Sequence, residues 1–218
     1  MSERAEERSR LLDAIEAACR NDPRVAGAWL IGSLGGGTED DWSDLDVWVV
    51  PQEGCEDTLL KDLSEAVGEP RLRLPAPQNA PAGGEFLTTA YDAPTGPHLV
   101  DWYLQPLAYA AGPRTERTLV LRADLPEIAP PAPPRQRHAT ALHSADAFWA
   151  TMLLQSKALA RGADRLEFED ALARFVETAP APGDKPLERL RAFSALGPPH
   201  AIRPAVERHL DYVEKALG

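Results

Sequence analysis

Residues 25–50 constrain this chain more than any other stretch. An apolar run of strand length, Val25–Ile31, passes directly into Gly32-Ser33 and then into the loop Leu34-Gly35-Gly36-Gly37-Thr38. A second apolar run, residues 45–50, opens on Ser43-Asp44-Leu45-Asp46 and is closed by Pro51. Side chains alternate along a strand, so Asp44 and Asp46 share one face while Leu45, Val47 and Val49 take the other. The expectation is a pair of strands with one face in a core and the other carrying acid.

Two carboxylates two residues apart at the start of a strand make a hard-oxygen site suited to Mg²⁺. The glycines let backbone N–H groups approach a polyphosphate closely, and Ser33 adds a hydroxyl donor. A third acid is available in His98-Leu99-Val100-Asp101-Trp102-Tyr103-Leu104, where Asp101 is the one charged residue inside an apolar strand. Burying a lone carboxylate is costly unless something pairs with it, and a metal shared with Asp44 and Asp46 would do so. Three acids on two strands are the arrangement that supports two-metal phosphoryl or nucleotidyl transfer. Asp101 is also a candidate general base. The glycine loop lacks the Gly-Lys-Ser/Thr of a Walker A loop and is not a GxGxxG, which argues against a P-loop kinase or a dinucleotide-dependent dehydrogenase.

Taken together, Gly32-Ser33, a loop of eleven positions from Ser33 to Asp44, the Asp44-Leu45-Asp46 triplet and the later Asp101 resemble the signature of the nucleotidyltransferases of the DNA polymerase beta superfamily. The resemblance covers residues 25–104. The loop length and the helical sequence that follows are similar to the small-molecule branch, the aminoglycoside and lincosamide nucleotidyltransferases. Phe148-Trp149 … Lys157-Ala158-Leu159-Ala160-Arg161-Gly162 looks like the helix that brings a lysine to the nucleotide phosphates in that branch. The resemblance implies metal ligands at Asp44, Asp46 and Asp101, and nucleotide contacts at Gly32, Ser33 and Lys157. It implies Mg²⁺ as cofactor, ATP or another nucleoside triphosphate as donor, and transfer of AMP to a hydroxyl of a small molecule, as in an antibiotic-resistance enzyme. Two other classes stay open: a toxin–antitoxin type enzyme modifying a protein or tRNA, and a non-catalytic nucleotide-binding member.

The rest of the chain supplies the frame. Leu11, Leu12, Ile15, Ala18 and Cys19 mark a helix over 6–20, stopped by Asn21-Asp22-Pro23. Residues 57–67 read as a short helix, and 71–84, rich in Pro, Ala and Gly, as irregular or mobile. Residues 86–91 and 99–104 read as a hairpin around Ala93-Pro94-Thr95-Gly96-Pro97, and 119–121 as one further short strand. Pro130-Pro131-Ala132-Pro133-Pro134 reads as a stiff linker. Beyond it the pattern is helical. Leu142, Ala145, Trp149, Met152, Ser156 and Leu159 mark one helix, with Lys157 at the rim of its stripe between Leu153 and Arg161. Phe168 to Val176 marks a second, Asp184 is placed to N-cap a third with Leu187, Leu190 and Phe193, and Ile202 to Leu217 marks the last. The expected fold class is α+β. A nucleotidyltransferase domain over 1–129, with a mixed sheet flanked by helices, is followed by an α-helical bundle domain over 135–218.

Charge bounds the partners. With 34 acidic and 23 basic residues the chain carries −11, which argues against a nucleic-acid surface or an anionic-membrane anchor and suits a cationic small-molecule acceptor. The N-terminus MSERAEERSR has no apolar signal core, and no apolar run reaches membrane-spanning length, so a cytoplasmic protein is expected. The two cysteines, Cys19 and Cys55, form no CxxC pair, and Cys19 falls on an apolar helix face. The five histidines (98, 138, 143, 200 and 209) lack metal-ligand spacing, and Glu39, Asp40 and Asp41 read as solvated loop acids. Trp29, Trp48 and Trp102 are core or core-edge residues, while Tyr103 shares the face of Asp101.

Overall fold

The first helix is launched by a cap the periodicity does not reveal. The Ser2 side chain accepts a hydrogen bond from the Ala5 N–H at 3.2 Å, so α1 spans Glu3–Asn21 and starts three residues before the expected position. A computed structural model describes residues 1–111, 116–126, 144–177 and 185–218. Among these the chain is α+β, with one mixed six-stranded open sheet and seven α-helices. The Pro130–Pro134 stretch, the proposed domain ends at 129 and 135, His138, Leu142, His143 and the Asp184 cap lie outside the described residues.

Contacts divide the chain into two units. The first holds the sheet, formed by β1 (Val25–Ile31), β2 (Leu45–Pro51), β3 (Leu72–Pro75), β4 (Glu85–Tyr91), β5 (His98–Leu104) and β6 (Arg117–Leu121). Their order is β3-β4-β5-β2-β1-β6. Only β2 and β5 run parallel; every other neighbouring pair is antiparallel. The parallel step at the centre follows from connection length. A hairpin can join only antiparallel strands, and the chain between β2 and β5 is long enough to include α3 (Leu59–Val67) and two further strands.

One face of the sheet packs on α1 and α3. Leu45, Val47 and Val49 of β2 and Val100, Trp102 and Leu104 of β5 join Leu12, Ile15 and Cys19 of α1 and Leu59, Leu60 and Leu63 of α3 in a single core. Each fully buried Leu or Val there contributes about 1.5–3 kcal/mol, which fixes the register, because a one-residue slip would turn this whole set outward. Cys19 lies inside that core, where burial pushes its thiol up to about 12, so it behaves as a packing residue. The other face carries Ala26, Trp29 and Val50, with Ile31, Trp48 and Leu107 around them.

Two expectations change here. Residues 71–84 are not irregular throughout: Leu72–Pro75 pairs with β4 as an edge strand, and Pro77–Asn79 makes a 3₁₀ turn. A buried Leu72 and an unpaired outer edge, where Pro75 is tolerated, outweigh the composition. The loop after β1 begins with a helical turn, α2 (Gly32–Gly35), rather than open coil.

The second unit is helical and includes the turn Asp92–Pro97. It is formed by α4 (Ala145–Ala160), α5 (Glu169–Phe175), α6 (Pro186–Leu196) and α7 (Arg203–Leu217). Ser144 caps α4 by accepting from the Ala147 N–H at 3.1 Å. Phe148, Trp149, Phe193, Val206 and Leu210 are buried within it. Gly96, at φ +101°, lies against the backbone of His209, where a side chain would collide. No helix among the described residues is long and apolar enough to cross a membrane.

Candidate functional site

Where β1 ends, the chain turns through Gly32 at φ +65°, a conformation glycine adopts without penalty. A Cβ at this position would also overlap Oδ2 of Asp46. Gly32 is therefore required twice, by its backbone angle and by the closeness of a carboxylate. The helical turn behind it is closed by the Gly36 N–H donating to the Gly32 carbonyl at 3.0 Å and the Thr38 N–H to the Ser33 carbonyl at 2.9 Å. Ser33 is half-buried in this turn.

Strand register brings the acids together. Asp46 of β2 is the cross-strand partner of Asp101 on parallel β5, and Asp44 lies immediately before β2, two residues from Asp46. All three are half-buried. Thr88, paired with Asp101 across β4, donates its hydroxyl to Asp101 Oδ1 at 2.6 Å. The Tyr103 hydroxyl donates to Asp46 Oδ1 at 3.4 Å. Burial, followed by the charges of Asp101, Asp46 and Asp44, holds the Tyr103 phenol protonated well above its usual range, so it stays a donor. Its ring stacks on Trp48 with centroids 5.7 Å apart and meets Phe86 edge-on at 4.9 Å. An aromatic strip therefore lines the acid-bearing face, with Trp102 turned into the opposite core.

Like charges side by side on neighbouring strands repel, and a hard cation is the natural partner for such a set. Among the described residues, no group of three or more His, Cys, Asp or Glu side chains is already gathered as a metal-holding cluster. What bears on a hard cation is donor chemistry: the carboxylates of Asp46 and Asp101 stand in register, with no thiolate or imidazole between them.

Lys157 belongs to α4 in the helical unit and is 2% exposed, so it does not lie at a solvated rim. The helix turns it inward with Gln155, beside Ser156 of the expected stripe, and the apolar spacing indicated neither the lysine nor the glutamine. Glu39, Asp40 and Asp41 are exposed, but Asp40 has a structural task. Its carboxylate accepts from the Trp42 N–H and the Ser43 hydroxyl, both at 2.9 Å, and so closes the turn before Asp44.

Sequence reasoning missed the contribution of the N-terminus. Arg4, Glu7 and Arg8, within a segment that reads as a charged terminus, are all buried. Glu7 and His98 meet at 3.0 Å. Burial, and then the charge of Arg4, hold the His98 imidazole neutral, against the opposing pull of Glu7. The available signal was spacing: positions 4, 7 and 8 share one helical face with Leu11 and Leu12.

Neither a protein-family model nor a curated protein matches this sequence.

Proposed function

We propose that this chain is a Mg²⁺-dependent nucleotidyltransferase that moves a nucleoside monophosphate, AMP from ATP, onto a hydroxyl of a small molecule such as an aminoglycoside or lincosamide antibiotic. The observation that carries the reading is the in-register pair Asp46 and Asp101, with Asp44 two residues earlier and Gly32 pressed against Asp46. The reading includes a polymerase beta-like domain over 1–129 and a helical domain over 135–218.

In this proposal Asp44, Asp46 and Asp101 hold the metal. When bound, Mg²⁺ supplies neutralising charge for the triphosphate and polarises the phosphoryl group under attack. The Gly32 backbone and the Ser33 hydroxyl bind the terminal phosphates, and Lys157 keeps, from the resemblance, the role of a phosphate contact. Asp101, oriented by Thr88, takes the proton of the acceptor hydroxyl. The acceptor oxygen attacks the α-phosphorus in line, and pyrophosphate leaves. Net charge of −11 favours arrival of a cationic acceptor.

The test is incubation of purified protein with α-labelled ATP, Mg²⁺ and pooled hydroxylated antibiotics. Label on a small molecule is the expected result. Label appearing only on protein or tRNA supports the toxin–antitoxin type, and tight ATP binding without transfer to any acceptor supports a non-catalytic member.

A further inference from the structure

Asp44 is the candidate carboxylate that stands just before the strand ladder. The parallel ladder begins with Leu45 opposite Val100 and includes Asp46 and Asp101, and the turn over residues 40–43 leads directly into Asp44. That turn, residues 40–43, is fastened from outside by α1. Arg8 Nη1 donates to the Asp40 carbonyl at 2.6 Å and to the Ser43 carbonyl at 3.4 Å. One helical turn earlier, the Arg4 guanidinium lies over the Trp42 ring at 5.6 Å, and the Ser2 hydroxyl donates to Asp41 Oδ1 at 2.7 Å. Glu7, adjacent to Arg8, is bonded to His98, the first residue of the strand that carries Asp101. Arg8 is 6% exposed. A guanidinium is costly to bury unless its donors are used, and here one nitrogen, Nη1, reaches both carbonyls of the turn.

We propose that Arg8 is a positioning residue for Asp44: by bridging the two carbonyls of the turn, it sets where β2 begins and so where this carboxylate stands beside Asp46. What Asp44 does there rests on the nucleotidyltransferase reading; where it is held does not. A lysine at position 8 keeps the charge but ends in a compact, strongly hydrated ammonium on a flexible stem, so it holds the two carbonyls less well. Removing the donor frees residues 40–44 while leaving the β2–β5 ladder intact.

Hydrogen–deuterium exchange and Mn²⁺ titration of the 218-residue chain test this with wild type, Arg8→Ala, Arg8→Lys, Asp44→Asn and Leu60→Ala, the last a core substitution in α3. Losing bonds from a charged donor predicts exchange over 40–44 accelerated by about tenfold in Arg8→Ala, with 45–50 as slow as in wild type. Mn²⁺ affinity falls to that of Asp44→Asn, and a variant combining Arg8→Ala with Asp44→Asn is no weaker than either single one. Arg8→Lys is intermediate and carries the test if the alanine variant does not fold. Leu60→Ala lowers Tm without singling out 40–44. Unchanged exchange over 40–44, or equal acceleration over 45–50, overturns the proposal. Wild-type protein that takes up no Mn²⁺ overturns the metal reading alone, because exchange still decides whether Arg8 holds the turn.

Discussion

Gly32 and Asp46 are in such close approach that a single added carbon on Gly32 would occupy the space of the Asp46 carboxylate oxygen. The loop and the strand it feeds are thus matched at one point, where backbone conformation and acid position depend on each other.

Gly32→Ala tests that match, with Gly37→Ala as its control. Both glycines have positive φ, +65° and +68°, so both substitutions incur roughly 1–2 kcal/mol of left-handed strain. Nothing lies within 4 Å of a Cβ at Gly37. Denaturant midpoints should fall for both variants, whereas ATP affinity and turnover should fall mainly for Gly32→Ala. Equal effects on turnover would remove the contact with Asp46 from the account.

Asp46→Asn should separate function from folding. It removes one of two like charges on adjacent strands while keeping an oxygen to accept from Tyr103, so Tm should hold or rise. Transfer should drop by roughly 10²-fold or more if the carboxylate stabilises charge at the reacting phosphate. In the same series, calorimetry of ATP with Mg²⁺ and with EDTA should show binding only in the first. Equal affinity in both would exclude the metal role.

Thr88→Val removes the hydroxyl that donates to Asp101 and keeps the β-branched shape. A hydrogen bond to a charged group is worth about 1.5–3 kcal/mol, so the midpoint should fall and turnover should fall with it. Thr88→Ser, which retains the donor, should recover most of the turnover. If valine and serine variants behave alike, Asp101 is not oriented by this bond.

His98 should make the protein sensitive to mild acid. Its folded-state pKa is depressed by burial and by Arg4, so below about pH 6.5 the unfolded chain binds a proton that the native chain does not. Stability is therefore complete above that pH and is lost as pH falls toward the lower value at which the folded imidazole titrates. The slope is at most about 1.4 kcal/mol per pH unit for one group. Thermal melts at pH 7.5 and 5.0 should show His98→Gln less stable at neutral pH but with a shallower fall. An identical fall in both proteins would assign the acid lability to other groups.

Much of the fold was legible in the sequence because strand and helix periodicities are local. Val25–Ile31 and the inward set Leu45, Val47 and Val49 follow from alternation, and the pairing of β4 with β5 follows from the turn chemistry between them. That Asp46 turns away from the inward set Leu45, Val47 and Val49 follows from the same two-residue period, whereas Asp44 lies just before the strand. The edge strand Leu72–Pro75 was not legible, because its composition suits a loop and only pairing with β4 orders it.

What the sequence determined by itself was the one-dimensional pattern: which residues of each strand face the core, and that glycine, serine and two acids follow one another at the end of a strand. Tertiary structure decided what depends on chain segments distant in sequence. The parallel register that sets Asp101 beside Asp46 joins residues 55 positions apart. The hydroxyls of Thr88 and Tyr103 reach the acids only through that sheet order. The burial of Arg4, Glu7 and Arg8 comes from docking α1 against the turn at 40–43 and the start of β5, so a segment that reads as a solvated terminus becomes part of the support for Asp44. Periodicity reports the faces of an element, whereas a neighbour's identity is set by loop closure and core packing, which no local window contains.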